Sequence, residues 1–365
     1  MGRQRSLLIT GASGFLGRFV LRELLAQTPD LRVHVLARGA AARAKIRAFF
    51  AKHGMTPDLS FVTGDLTQAG LGLAPGVAAA LRAEITEVWH VAAITNLAAQ
   101  DPTLLYGTNV RGTGRLLRVA EQLPRLDRLY YVSTAYVAGT APGPVREQAM
   151  PARPRFRNLY ERSKYAAERL VLNAGLPVVV FRPSIIVGDS VSGDTGDECQ
   201  TVYRFVQALA AGMARDRGDG ARAAPEFRIP GSRRARLNFV CVDEVARLMV
   251  ALSARAQAGQ VLNLTNPRDL TGEEIRAALE RALDARGTRF FEAAPESGAV
   301  APTRGEATTL RLSGPLLPYM TEPGPVWDTA RGRSLAGGRW MPAMTADKFA
   351  TLMRTYVETN GAGRP

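Results

Sequence analysis

The chain has 365 residues, 46% apolar and 22% charged, which suits a globular fold with one large core and an appended subdomain. Its 35 glycines and 22 prolines are spread thinly, which excludes collagen-like, low-complexity and disordered classes, and two cysteines, Cys199 and Cys241, exclude a disulfide framework. The net charge is +14, but only four of the 47 basic residues are lysine (Lys45, Lys52, Lys164, Lys348) and the arginines scatter along the whole length, so no nucleic-acid partner is expected.

His34, His53 and His90 lie far apart, so no metal site is expected either. The longest apolar stretch, around Leu176–Val187, is cut by Arg182 and Pro183, and no transmembrane helix is expected. Residues 1–5 lead straight into an apolar strand without a signal-peptide cleavage site, which points to the cytoplasm.

Strands are predicted at Ser6–Thr10, Arg32–Ala37, Leu59–Thr63, Glu87–Val91, Arg128–Val132, Val178–Arg182 and Val261–Leu264. They are rich in Val, Ile and Leu without strict alternation, as for a parallel sheet covered on both faces. Amphipathic helices are predicted at Phe15–Ala26, Ala40–Lys52, Leu104–Gln122 and Leu159–Asn173. The alternation predicts an α/β fold, a Rossmann-type doubly wound parallel sheet. After residue 190 it weakens. Residues 215–236 read as an Arg/Gly/Ala/Pro-rich loop, Asp243–Ser253 and Gly272–Arg286 as helices, the second opened by the capping-box pattern Thr271-x-x-Glu274. A Pro- and Gly-rich tail (292–338) precedes a closing helix at Thr345–Thr359. The expected division is a nucleotide-binding domain (1–190 with 237–266) and a smaller C-terminal substrate-binding cap (191–236 with 267–365).

The first strand runs through Thr10 into Gly11-Ala-Ser13-Gly14-Phe15-Leu16-Gly17 and then a helix. Glycines there permit a tight turn and close backbone approach to a pyrophosphate, while the helix N-terminus supplies amide donors. At the end of the second strand an acid would take the ribose 2′-hydroxyl of NAD. Arg38 stands there, with Arg43, Lys45 and Arg47 behind it, and favours NADP(H). Arg43 and Arg47 suit a solvated helix face equally well.

Tyr160 and Lys164 are four residues apart in a strong helix-forming segment, so both occupy one face. An ammonium beside a phenol lowers the phenol pKa and equips Tyr160 for proton transfer. The strand at Arg128–Val132 ends in Ser133-Thr134, placing hydroxyls at a carboxyl strand edge, where open α/β sheets bind ligands.

Gly11-x-x-Gly14-x-x-Gly17, Gly64-Asp65-Leu66, Ala92-Ala93, Asn109-Val-x-Gly-Thr113, Ser133-Thr134 and Tyr160/Lys164 together resemble an extended short-chain dehydrogenase/reductase over about residues 6–265. Gly14-Phe-Leu-Gly17, Asn158-x-Tyr160-x-x-Ser-Lys164 and Phe181-Arg-Pro183-Ser184-Ile185 resemble the thioester reductase and fatty acyl-CoA reductase (male-sterility-type) branch. Leu317-Pro-Tyr319 and Val326-Trp-Asp328 faintly resemble its tail. The resemblance implies that Thr134 and Tyr160 hold the substrate oxygen and that Lys164 contacts the nicotinamide ribose and tunes Tyr160. It also implies that Asp65 and Leu66 meet the adenine, Ala92-Ala93 the middle of the cofactor, and Pro183, Ser184 and Ile185 the nicotinamide side. Asn109 then belongs to a structural and proton-relay scaffold. Three alternatives stay open: Asp65 as a turn residue, Asn109 as a helix cap, and Ser133 in place of Thr134. His90 and Trp89 read as packing; Tyr136 and Tyr165 have no assigned role.

The implied activity is NADPH-dependent reduction of an acyl thioester to an aldehyde, or onward to the alcohol. No segment resembles an adenylation or carrier domain, so the acyl group is expected on a separate acyl carrier protein or on coenzyme A. A homodimer is compatible with this reading. The competing readings are a ketone/aldehyde reductase or epimerase of the extended family, and a nucleotide-sensing protein without catalysis.

Overall fold

The computed structural model describes residues 4–141, 143–151, 154–196, 201–218, 227–291 and 301–360. Seven apolar runs pair side by side: Ser6–Thr10 (β1), Arg32–Ala37 (β2), Ser60–Thr63 (β3), Glu87–His90 (β4), Arg128–Val132 (β5), Val178–Pro183 (β6) and Val261–Leu264 (β7). Their order is β7-β6-β5-β4-β1-β2-β3, with every pair parallel. Successive side chains leave opposite faces. Leu7 and Ile9 join one apolar cluster with Phe19, Phe50 and Leu248, whereas Leu8 joins another with Leu81, Leu116 and Val171. Each such buried side chain contributes about 1.5–3 kcal/mol, and burial on both faces explains the near-continuous apolar strands.

Helices Phe15–Gln27 (α1), Ala40–Lys52 (α2), Pro75–Glu84 (α3), Thr113–Ala120 (α4) and Leu159–Leu172 (α5) connect the strands. The winding reverses between β1 and β4, so their carboxyl ends flank a crevice, the place where such sheets bind ligands. α5 is locked to β6 by a buried pair: Arg182 donates to Glu168 through Nε (3.0 Å) and Nη2 (2.5 Å), and to the carbonyls of Arg146 and Gln148. Removing one partner of such a pair costs about 3–5 kcal/mol.

The single helix expected over Leu104–Gln122 is instead three pieces: Pro102–Leu105, a π-helical stretch Tyr106–Gly112, and α4. The wider winding serves the buried Asn109, whose amide holds both the backbone of Ile94 and Ser163.

A third apolar cluster lies outside the sheet, built from Thr201–Gly218 (α6), Gly272–Ala282, Leu317–Met320 and Ala346–Asn360. Here the structure departs most from expectation. α6 lies where the strand–helix alternation weakens, is not among the expected helices, and runs into the loop expected at 215–236. That segment then contributes the short strands Arg228–Ile229 and Arg236–Leu237, with 219–226 outside the described residues. Arg304–Ser313, within the Pro- and Gly-rich tail, is also helical and packs on α6. The capping box at Thr271 and Glu274 forms as predicted. Residues 328–341 were expected in the cap, yet they return to the sheet. Asn263 holds the carbonyl of Asp328 at 2.8 Å, Trp340 that of Thr265, and Ala336 and Met341 pack with Val242–Ser253 (α7) against β7. No helix among the described residues is long and apolar enough to cross a membrane.

Candidate functional site

A cleft of about 830 Å³ opens along the carboxyl ends of β1, β2, β4, β5 and β6. Every site residue predicted from the sequence lines it except Asn109, which sits behind the wall.

At one end the chain turns through Gly11 at φ +77°, where a Cβ would lie 2.4 Å from the Ala92 nitrogen; a Cβ on Gly17 would lie 2.1 Å from the Gly11 carbonyl oxygen. Those two glycines are required by packing. Gly14 is different. It borders the cleft, a Cβ there would meet only the Gly11 oxygen at 3.3 Å, and the space beyond is the cleft. No side chain caps α1, so first-turn amides remain for a ligand. Farther in, Ser133 Oγ is buried without a partner among the described residues and also lines the cleft. A bare helix terminus, a glycine cradle and an orphaned hydroxyl together fit a dinucleotide.

Arg38 and Lys45 line the adenosine end, whereas Arg43 donates to Thr63 Oγ1 at 2.5 Å and lies, with Arg47, over the Phe61 ring. Phe61 thus occupies both of the arginines that the sequence left undecided. The Asp65 carboxylate accepts from Thr67 N and Oγ1, which holds its pKa below the usual range, helped by Arg38. Asp65 is therefore a turn residue and a cleft residue at once.

At the other end Asn158 caps α5 by accepting from Glu161 N at 2.9 Å, which sets the first turn carrying Tyr160. Burial pushes the Tyr160 phenol up to about 12, moderated by the Thr134 side chain within hydrogen-bonding reach. The expected arrangement, an ammonium lowering this phenol, is not what the side chains adopt. Lys164 donates instead to Tyr131 OH (2.9 Å) and the Val132 carbonyl (2.7 Å), and its Nζ lies 4.5 Å from the Tyr131 ring centroid. Burial lowers its own pKa to about 7, opposed by Glu168. Tyr160 is thus a neutral phenol at neutral pH, and Lys164 gives up its proton far more readily than an exposed lysine.

Asn109 Nδ2 donates to Ser163 Oγ, and Ser163 Oγ donates to the Tyr160 carbonyl, so Asn109 braces α5 against the Ile94 loop. Its role is positional, and it caps no helix. His90 bridges Thr10 and Thr113 at 2.7 and 2.9 Å, and burial, with Lys164 nearby, takes its pKa down to about 3. It packs, uncharged. Ser184 donates to Asn238 at 2.6 Å.

Several wall residues had no role in the sequence. Tyr136 meets Tyr319 edge-on (ring centroids 5.2 Å, 86°) and also touches Trp327. Tyr319 OH donates to Glu161 Oε1 and accepts from Asn158 Nδ2, both at 2.7 Å. Of the two tail fragments with a faint family resemblance, the first carries the Tyr319 ring to α5 and the second carries the Trp327 ring to Tyr136. Ile94, Leu97, Val202, Arg204 and Leu316 complete this end. Tyr165 does not line the cleft and packs on Phe156.

A doubly wound sheet with a glycine-turn cleft and a Tyr/Lys pair on one helix defines an NAD(P)-dependent oxidoreductase of the extended short-chain type. The family profile described as Male sterility protein matches residues 9–249, and the chain belongs to that family. Among curated relatives, a linear gramicidin synthase of Brevibacillus parabrevis is 32% identical over 76% of this chain, which spans 5% of that protein. Aldehyde reductase lnaA of Aspergillus flavus is 26% identical over 96% of the chain, which spans 35% of it. Among solved structures, the terminal R domain of the myxalamid PKS-NRPS pathway superposes with a TM-score of 0.78 at 25% identity, covering 99% of this chain and 92% of that one. The dTDP-glucose 4,6-dehydratase DesIV of Streptomyces venezuelae, with NAD bound, superposes at 0.67 and 24% identity, covering 97% and 98%.

Proposed function

We propose that the protein reduces an acyl thioester, carried on an acyl carrier protein or coenzyme A, to the aldehyde, with NADPH as reductant. The observation that carries this reading is the neutral, buried Tyr160 phenol beside Thr134 at the apolar end of the cleft, whose opposite end holds Arg38 and Lys45. A nicotinamide dinucleotide held along the glycine turn Gly11–Gly17, with Arg38 and Lys45 at one end, would supply the hydride that reduces the thioester carbonyl carbon. Thr134 and Tyr160 donate hydrogen bonds to the carbonyl oxygen as negative charge develops there, and Tyr160 passes its proton to it. The resulting hemithioacetal loses its hydroxyl proton as the carbon–sulfur bond breaks, so one thioester, one NADPH and one proton become aldehyde, thiol and NADP⁺. Lys164, fixed by Tyr131 and Val132, has one N–H left for the ribose. Arg38 and Lys45 supply the positive charge that a 2′-phosphate requires and a 2′-hydroxyl does not.

The test is incubation of the purified protein with NADPH and a medium-chain acyl-CoA, following absorbance loss, free thiol and aldehyde. Equimolar thiol and aldehyde support thioester reduction. Turnover of ketones without thiol release supports the ketone-level alternative, and cofactor binding without turnover of any carbonyl means a sensor.

A further inference from the structure

Arg233, Arg234 and Arg236 belong to the arginine-rich segment 215–236, and none of them lines the cleft. Arg233 faces Glu273 at 3.6 Å on the exposed surface, and Arg236 sits on the outer short strand. A different cation borders the acyl end. Arg204 stands on the first turns of α6, where Val202, Tyr203, Phe205 and Val206 are buried and fix the helix. Val202 and Arg204 both contribute to the cleft wall, beside Leu316 and Tyr319. Arg204 is exposed and makes no hydrogen bond or ion pair with any described residue.

The other cationic side chains that line the cleft are placed differently. Arg38 and Lys45 stand at the adenosine end, and Lys164 is buried on Tyr131. Arg204 is therefore the exposed guanidinium at this end of the cleft, beside Val202, Leu316 and Tyr319. Both thioester sources named above present their acyl group on a 4′-phosphopantetheine arm, an apolar-amide chain ending in a phosphate ester. A guanidinium offers a planar fork of donors matched to phosphate oxygens.

We propose that Arg204 binds the phosphate of that arm and so selects phosphopantetheine thioesters over unphosphorylated ones. This rests on the thioester-reductase reading and adds to it the group that the enzyme recognises on the carrier.

The test compares one acyl group on four carriers: pantetheine, 4′-phosphopantetheine, coenzyme A and a loaded acyl carrier protein. Wild-type kcat/KM should be higher for phosphopantetheine than for pantetheine. Arg204→Ala should collapse that ratio by about tenfold, the scale of one charge-assisted contact, with Arg204→Lys retaining part of it. The wild-type preference should also shrink with added salt. Loss on the carrier protein as well as on free phosphopantetheine assigns the arm's own phosphate. Loss confined to coenzyme A assigns its nucleotide phosphates and overturns the proposal. An equal loss on pantetheine and phosphopantetheine, or an unchanged ratio, overturns it too and leaves thioester reduction standing. A wild-type enzyme that releases thiol from none of the four overturns both.

Discussion

The two ends of the cleft are built by different means. The cofactor end is drawn from short stretches within residues 10–17, 36–45 and 64–67, with Gly11, Gly14, Gly17 and Gly64 among them. The acyl end is assembled from Tyr136, Val202, Arg204, Leu316 and Tyr319, brought together from three distant parts of the chain. Backbone recognition of a pyrophosphate needs a local geometry that only certain residues allow, so it leaves a motif. A wall for an acyl chain needs only shape and apolar surface, which many residues supply.

The largest test of that division is Tyr160→Phe. Turnover should fall about 10²- to 10⁴-fold, the loss expected for the acid of the proposed reaction. NADPH affinity, read by fluorescence titration, should hold, since the lost hydroxyl serves the substrate oxygen. Retention of more than about a tenth of the activity would remove Tyr160 as the proton donor. Next in size is Arg38→Ala. Losing a charge-assisted phosphate contact costs about 1.5–3 kcal/mol, so the KM for NADPH should rise more than about tenfold while that for NADH barely moves. Equal effects on both cofactors would detach Arg38 from the 2′-phosphate.

How far the sequence could be read follows the same division. The seven strands, α2 and the glycine turn were legible to within a residue or two, because buried parallel strands have a distinctive composition and the turn needs glycines. Thr134, Tyr160 and Lys164 were legible as a set, yet their wiring was not: that Lys164 would point to Tyr131 depends on a side-chain orientation that no spacing records. α6 was missed because it sits where the strand–helix alternation breaks down, and its apolar face is covered by the distant Arg304–Ser313 helix. Tyr319 was visible only as a faint tail similarity. Its hydrogen bond spans 158 residues to Glu161, a contact set by tertiary folding alone.

Tyr319→Phe probes the acyl end by itself. The change strips Glu161 and Asn158 of a shared buried partner, which should cost about 1–3 kcal/mol of stability in chemical denaturation. It should also raise the KM for the acyl thioester while leaving NADPH affinity intact. A matching loss of cofactor affinity would show that the two ends are not independent.

The smallest expected effect falls where the ends meet. Lys164 is buried beside both Tyr160 and the cofactor end, and burial holds its pKa near 7, so kcat/KM should decline on the alkaline side of about pH 7 as the ammonium is lost. Tyr131 OH accepts one hydrogen bond from that ammonium at 2.9 Å. In Tyr131→Phe the ring remains beneath the charge, but the acceptor disappears. Losing a hydrogen bond made to the charged form disfavours that form, so the Lys164 pKa should fall and the alkaline limb should move to lower pH. The shift should be about one unit, since one unit corresponds to about 1.4 kcal/mol and a hydrogen bond to a charged group is worth about 1.5–3 kcal/mol. At a pH below both limbs the variant should recover most of the wild-type rate, which separates lost charge from lost packing. A limb that stays in place would mean that Lys164 reaches the reaction as the neutral amine, held by the Val132 carbonyl alone.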